Sequence, residues 1–166
     1  MGILLNPSNT DFTKAVNSMI YVDKSDLMCY TNSVVNTEQR FICVSRPRRF
    51  GKSMAANMLT AYYSRGCDSR ELFSSYKIAK NDSFEKHLNK YNVIHINMVQ
   101  YLDEAKNVED MLKYIEEDII GDIADEFPDL KMPRRVTLTN VLDKAFSQFG
   151  IPFVFVIDEW DCVFRK

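Results

Sequence analysis

Apolar residues in this chain follow two rhythms. Unbroken runs at Phe41-Ile42-Cys43-Val44 and Phe153-Val154-Phe155-Val156-Ile157, with Val93, Ile94, Ile96 and Met98 inside Tyr91 to Met98, predict buried strands. Helical spacing fills the intervals. Met54, Ala55, Met58, Leu59 and Tyr62 predict a helix that runs until Gly66, a residue suited to the position just past a helix end. Asn107 is placed as the N-cap of a long helix whose Val108, Met111, Leu112, Ile115 and Ile119 recur on one face until Pro128 stops it. A third stripe joins Leu138, Val141, Leu142, Ala145, Phe146 and Phe149, closed by Gly150 and Pro152. Residues 1–39 show no such period beyond Met19 to Val22 and Leu27 to Tyr30, and read as a lead segment with one short helix. Strands alternating with long helices predict an α/β fold, a parallel sheet with helices on both faces and ligands beyond the carboxyl ends of the strands.

Two polar segments lie at that edge. Ser45-Arg46-Pro47-Arg48-Arg49-Phe50-Gly51-Lys52-Ser53 follows the first strand and leads into a helix, the layout of a P-loop. Backbone N–H groups of such a loop and the positive end of the helix dipole surround an anion; Lys52 supplies a mobile charge and Ser53 a hydroxyl for Mg²⁺. The run Phe153 to Ile157 delivers Asp158 and Glu159 at its carboxyl end, as a Walker B strand does. Each segment has a plainer reading, a basic turn before a helix and a strand that surfaces, but their order makes a double coincidence implausible. Consecutive strand residues point to opposite faces, yet a turn at the strand's end would let Asp158 and Glu159 share a crevice. Asp161 could join them, although a solvated turn residue is the better reading there. Arg48 and Arg49 suit the phosphates, a neighbouring subunit or solvent equally.

The standard loop begins with glycine, and Arg46 stands in its place. Ser45 to Met54 nevertheless closely resembles the loop of the bacterial and archaeal AAA-ATPase-like family, whose Walker A reads RPRRFGK followed by Ser or Thr. Asp11-Phe12 and Tyr21-Val22-Asp23-Lys24-Ser25 resemble that family's leading segment. The likeness runs from about Asn9 to Asp161. It implies a three-layer P-loop ATPase domain, often followed by a PD-(D/E)xK nuclease-like domain in longer members. It also implies a division into a lead segment, 1–39, and a partial ATPase core, 40–166, with Walker A at 45–53 and Walker B at 153–159, in one domain incomplete at its C-terminus. By the same likeness residues Arg46, Pro47, Arg48, Arg49, Phe50, Gly51, Lys52 and Ser53 would hold ATP or ADP. Ser53 and Asp158 would hold Mg²⁺, Lys52 would bridge the β- and γ-phosphates and Glu159 would polarise the attacking water.

The strand order implied is 5-1-4-3-2, and the sequence ends before the fourth strand. Strands lie about 4.8 Å apart, so a gap of roughly 10 Å would separate Val44 from Ile157. The expectation is direct re-pairing of those two strands, or self-association or a protein partner that covers the open edge. Hydrolysis by this chain alone is expected to be weak or absent. The alternative function is a non-hydrolysing remnant that binds protein or nucleic acid as an inhibitor or regulator.

Composition narrows the rest. At 166 residues and 46% hydrophobic the chain can pack one core, and a net charge of −2 gives no global attraction to nucleic acid or anionic membranes. Cys29, Cys43, Cys67 and Cys162 have no metal-ligand spacing, and a reduced, cytoplasmic setting is expected. His95 lacks a ligand-spaced partner and reads as structural, as does the acidic run Glu116-Glu117-Asp118 with Asp103 and Glu104, a solvated face. No apolar run approaches the ~20 residues that cross a bilayer.

Overall fold

A computed structural model describes residues 4–45 and 51–164. The chain runs through α1 (Thr10–Val16), α2 (Asp26–Val34), α3 (Lys52–Tyr63), α4 (Arg70–Phe73), α5 (Phe84–His87), β1 (Asn92–Asn97), α6 (Met98–Glu104), α7 (Val108–Glu126), α8 (Leu138–Phe149) and β2 (Phe153–Asp158). Strands β1 and β2 pair in parallel, from Asn92 opposite Phe153 to Asn97 opposite Asp158. The crossover between them carries α6, α7 and α8, as a parallel connection requires.

Residues paired across a parallel ladder share a face, and the two faces collect different helices. Val93 and Val156 join Phe12, Met28, Met58 and Tyr62 from α1, α2 and α3. Ile94 and Ile96 join Met111, Ile115, Ile119 and Ile123 of α7 and Val141 and Ala145 of α8. The far edge of β1 is also occupied. Asn6 N–H donates to Val93 O at 2.7 Å and His95 N–H to Leu4 O at 3.0 Å, while the buried Asp122 carboxylate accepts from Leu4 N–H at 2.6 Å and Leu5 N–H at 3.0 Å.

Local signals set the helix ends. Asn107 caps α7 by accepting from Asp110 N–H at 2.9 Å, and α8 stops where Gly150 takes φ of 72°.

Several expectations need correction. Phe41 to Val44 form no strand: they run as exposed coil, with Phe41 82% accessible, and among the described residues no segment pairs with them. They line a cavity of about 720 Å³ that β2 also lines, and β2 pairs with β1 and not with them, so direct re-pairing of these segments does not occur. The sheet has two strands among the described residues. The lead segment holds two helices, α1 and α2, and both enter the core through Phe12 and Met28. Helix α3 ends at Tyr63, before Gly66, because Ser64 turns extended to bridge Tyr91. Val108, Leu112 and Phe146 are exposed although their spacing placed them on buried faces. The acidic run is also less solvated than expected: Glu116 accepts from Leu138 N–H at 2.8 Å and Asp118 from the Tyr101 hydroxyl at 2.6 Å.

Candidate functional site

Asp158 closes β2 on the face that carries Val154 and Val156, the side packed on α3, and it is only 8% exposed. Strand alternation would send the next side chain the opposite way. Glu159 escapes that rule with φ of +55°, a left-handed conformation costly for a side-chain-bearing residue. Its N–H donates to Asp158 Oδ1 at 2.9 Å, which holds the turn. Both carboxylates line the cavity that Lys52, the first residue of α3, also lines.

The end of α3 is electrostatically incomplete. Asn107 and two acidic residues, Glu109 and Asp110, attend the first turn of α7. Helix α3 begins at Gly51 with φ of 77° and has no side-chain cap, no acid in its first turn and a lysine at its first position. Ala55 N–H reaches Gly51 O at 3.0 Å, so the N–H groups of Lys52, Ser53 and Met54 precede the intrahelical ladder and need acceptors from elsewhere. An anion supplies acceptors and complements the dipole together.

The structure brings part of the predicted set to one place. Lys52, Asp158 and Glu159 line one cavity. Asp161 also lines it and is half-buried within the turn Trp160–Phe164, where solvent was the better expectation. Ser53 is exposed on the next helical position and is not among the cavity-lining residues. The loop residues Arg46, Pro47, Arg48, Arg49 and Phe50 lie outside the described residues.

The far wall of the cavity comes from α2 and the coil after it, through Leu27, Thr31 and Val35. The apolar cluster Leu27 to Tyr30 was the only sequence signal for this wall. His95, two register positions before Asn97, is held below the usual histidine range by burial, which the Asp158 charge partly opposes. The segment before α2 is tightly fastened. Asp23 accepts from Ser25 N–H at 2.8 Å and Lys77 N–H at 3.1 Å, and the buried Ser25 hydroxyl accepts from Ile78 N–H at 3.1 Å. Burial alone would raise the Asp23 carboxyl, but hydrogen bonds from Ser25 and the Lys77 backbone hold it below the usual carboxylate range.

No cluster of three or more His, Cys, Asp or Glu among the described residues suits a metal on its own. Mg²⁺ does not need one, since it commonly takes one or two carboxylates, waters and substrate phosphates, a set that Asp158 can join. No helix among the described residues is long and apolar enough to cross a membrane.

A family model, AAA-ATPase-like, described as predicted AAA-ATPase, matches residues 9–165. Comparisons with curated proteins and with solved structures find no match.

Proposed function

Because the chain belongs to the AAA-ATPase-like family, we propose that it is a P-loop nucleotide-binding domain that holds ATP or ADP with Mg²⁺ at the start of α3. The observation that carries this reading is the convergence of Lys52, Asp158 and Glu159 on one cavity at the carboxyl end of a parallel strand. Open parallel sheets bind ligands at that end. The uncapped first turn of α3 binds phosphate oxygens through backbone N–H groups, and Lys52 neutralises the phosphate charge. Asp158, on the α3 side of the sheet, would hold Mg²⁺, and Ser53, exposed in the first turn of α3 beside the cavity, would offer its hydroxyl to the same ion.

Bound Mg²⁺ would neutralise charge on the phosphate oxygens. Glu159 stands beside Asp158 at the cavity wall, where it can orient and deprotonate a water. Arg46, Pro47, Arg48, Arg49, Phe50 and Gly51 complete the loop in this reading.

Calorimetric titration with ATP and ADP, with and without Mg²⁺, tests it. The wild type is expected to bind both and Lys52→Ala to bind neither well; equal affinity of the two proteins would overturn the reading.

A further inference from the structure

Strand β2 has one edge to spare, and the cavity marks where it lies. Among the described residues β2 pairs with β1 alone. All six residues of β2 line the cavity, although consecutive strand residues point to opposite faces of a sheet. A space that touches both faces of a strand runs along its edge, and β1 already occupies the inner one. The cavity is therefore a lane beside the outer edge of β2. Ala55 and Leu59 of α3 line it too, so the helix layer continues over the lane, where the described residues place no strand.

The lane suits an extended backbone. Its β2 border presents N–H and C=O groups with no ladder partner among the described residues, and another strand satisfies such a row where an apolar small molecule does not. Between Phe153 and Ile157 there is no charge and no proline, the residues that commonly blunt an edge. The dimensions agree. A strand takes up about 4.8 Å between neighbours, about 10 Å between packed layers and about 3.3 Å of length per residue, so four residues fill on the order of 600 Å³ of the 720 Å³ present.

The same lane is lined by Phe41, Ile42, Cys43 and Val44, four consecutive residues of strand composition that pair with nothing among the described residues. All four are exposed. Within one molecule this run borders the lane without entering it. Between two molecules related by a two-fold axis, each run enters the lane of the other copy, and one self-complementary contact then satisfies the open edge and the unpaired run of both.

We propose that the chain forms a two-fold dimer by exchanging Phe41–Val44. One continuous sheet results, in the order β1, β2, the run of the second copy, the run of the first copy, then β2 and β1 of the second copy. The proposal stands independently of the nucleotide reading.

Sedimentation over a wide range of concentration, with hydrogen exchange on the same samples, tests it. The wild type is expected to dimerise as concentration rises, with amide protection at Phe41–Val44 and at β2 growing together. Ile42→Pro removes an N–H from the run, and Phe155→Lys places a charge beside the β2 edge. Each should raise the dimer dissociation constant at least about tenfold. Dilute Ile42→Pro should melt with the dilute wild type, because the run is exposed coil in a single copy. A short bismaleimide should join two wild-type chains through the exposed Cys43, and Cys43→Ser should abolish the product. A wild type that stays monomeric at every concentration would overturn the proposal. A dimer that Ile42→Pro leaves intact would overturn it in favour of another surface, such as contact between β2 edges alone, and protection of Phe41–Val44 in a monomer would overturn it in favour of closure within one chain.

Discussion

Glu159 donates its backbone N–H to the carboxylate of Asp158, its own predecessor, while holding φ of +55°. A left-handed residue with a side chain costs about 1 kcal/mol, and glycine avoids that cost. Glu159→Gly is therefore expected to raise the stability by up to about 1 kcal/mol, read as a higher denaturant midpoint at unchanged slope. In Glu159→Gln the backbone strain stays, ATP binding is kept, and whatever slow turnover the wild type shows is lost. A destabilised glycine variant would mean that the glutamate side chain holds the turn.

Asp158→Asn keeps an oxygen for the Glu159 N–H and removes the charge. ATP affinity measured with and without Mg²⁺ should converge in this variant, whereas Mg²⁺ should strengthen binding in the wild type. Retained Mg²⁺ dependence would assign the metal to another residue.

Gly51 has φ of 77°, and a side chain there would meet Lys24 Nζ at 3.0 Å. Gly51→Ala should cost about 1–2 kcal/mol in stability from the backbone alone. It should also displace Lys24 and weaken ATP binding. Thermal melting and calorimetry on the same sample read both effects.

Burial holds His95 and the buried His87 below the ordinary histidine value of 6.5. The unfolded chain takes up protons at these positions before the folded protein does, so stability is fully present above about pH 6.5 and falls as the pH drops below it. His95→Gln and His87→Gln should each shallow the decline in denaturant midpoint over that interval. A decline of wild-type steepness in the double variant would shift the cause to carboxylates.

Phe155 and Ile157 on β2 are 41% and 49% exposed, and Phe146 on α8 is 51% exposed. Apolar surface of this kind beside an unpaired strand edge binds apolar dyes. Phe155→Thr with Ile157→Thr should lower dye fluorescence and change stability by about 0.5 kcal/mol or less per site. A large loss of stability would show that these side chains support the sheet.

Much of the site and of the element order is legible in the sequence, because local rules decide it. A lysine and a serine after Gly51 at a helix start, a polar cap at Asn107 and two carboxylates after an apolar run are all short-range patterns. That β1 and β2 run parallel follows from the alternation of strands and helices, whereas their pairing with each other is seen only in the structure. Other features depend on contacts between residues far apart in the chain. Phe41 to Val44 have strand composition but no pairing partner among the described residues, and composition alone supplies no hydrogen bonds. The stripe on α8 is continuous in sequence, yet only a neighbour can bury it, and among the described residues none covers Phe146.

Lys24 shows the same division. Its motif is visible in the sequence, but its approach to Gly51 is set by hydrogen bonds that Asp23 and Ser25 accept from Lys77 and Ile78, more than fifty positions away. Sequence by itself determined which residues carry charge, where helices begin and which runs can become strands, since propensity and capping act within a few residues. Tertiary structure alone decided which of those runs found a partner and which cations meet at the start of α3, because pairing and burial depend on what the rest of the chain brings alongside.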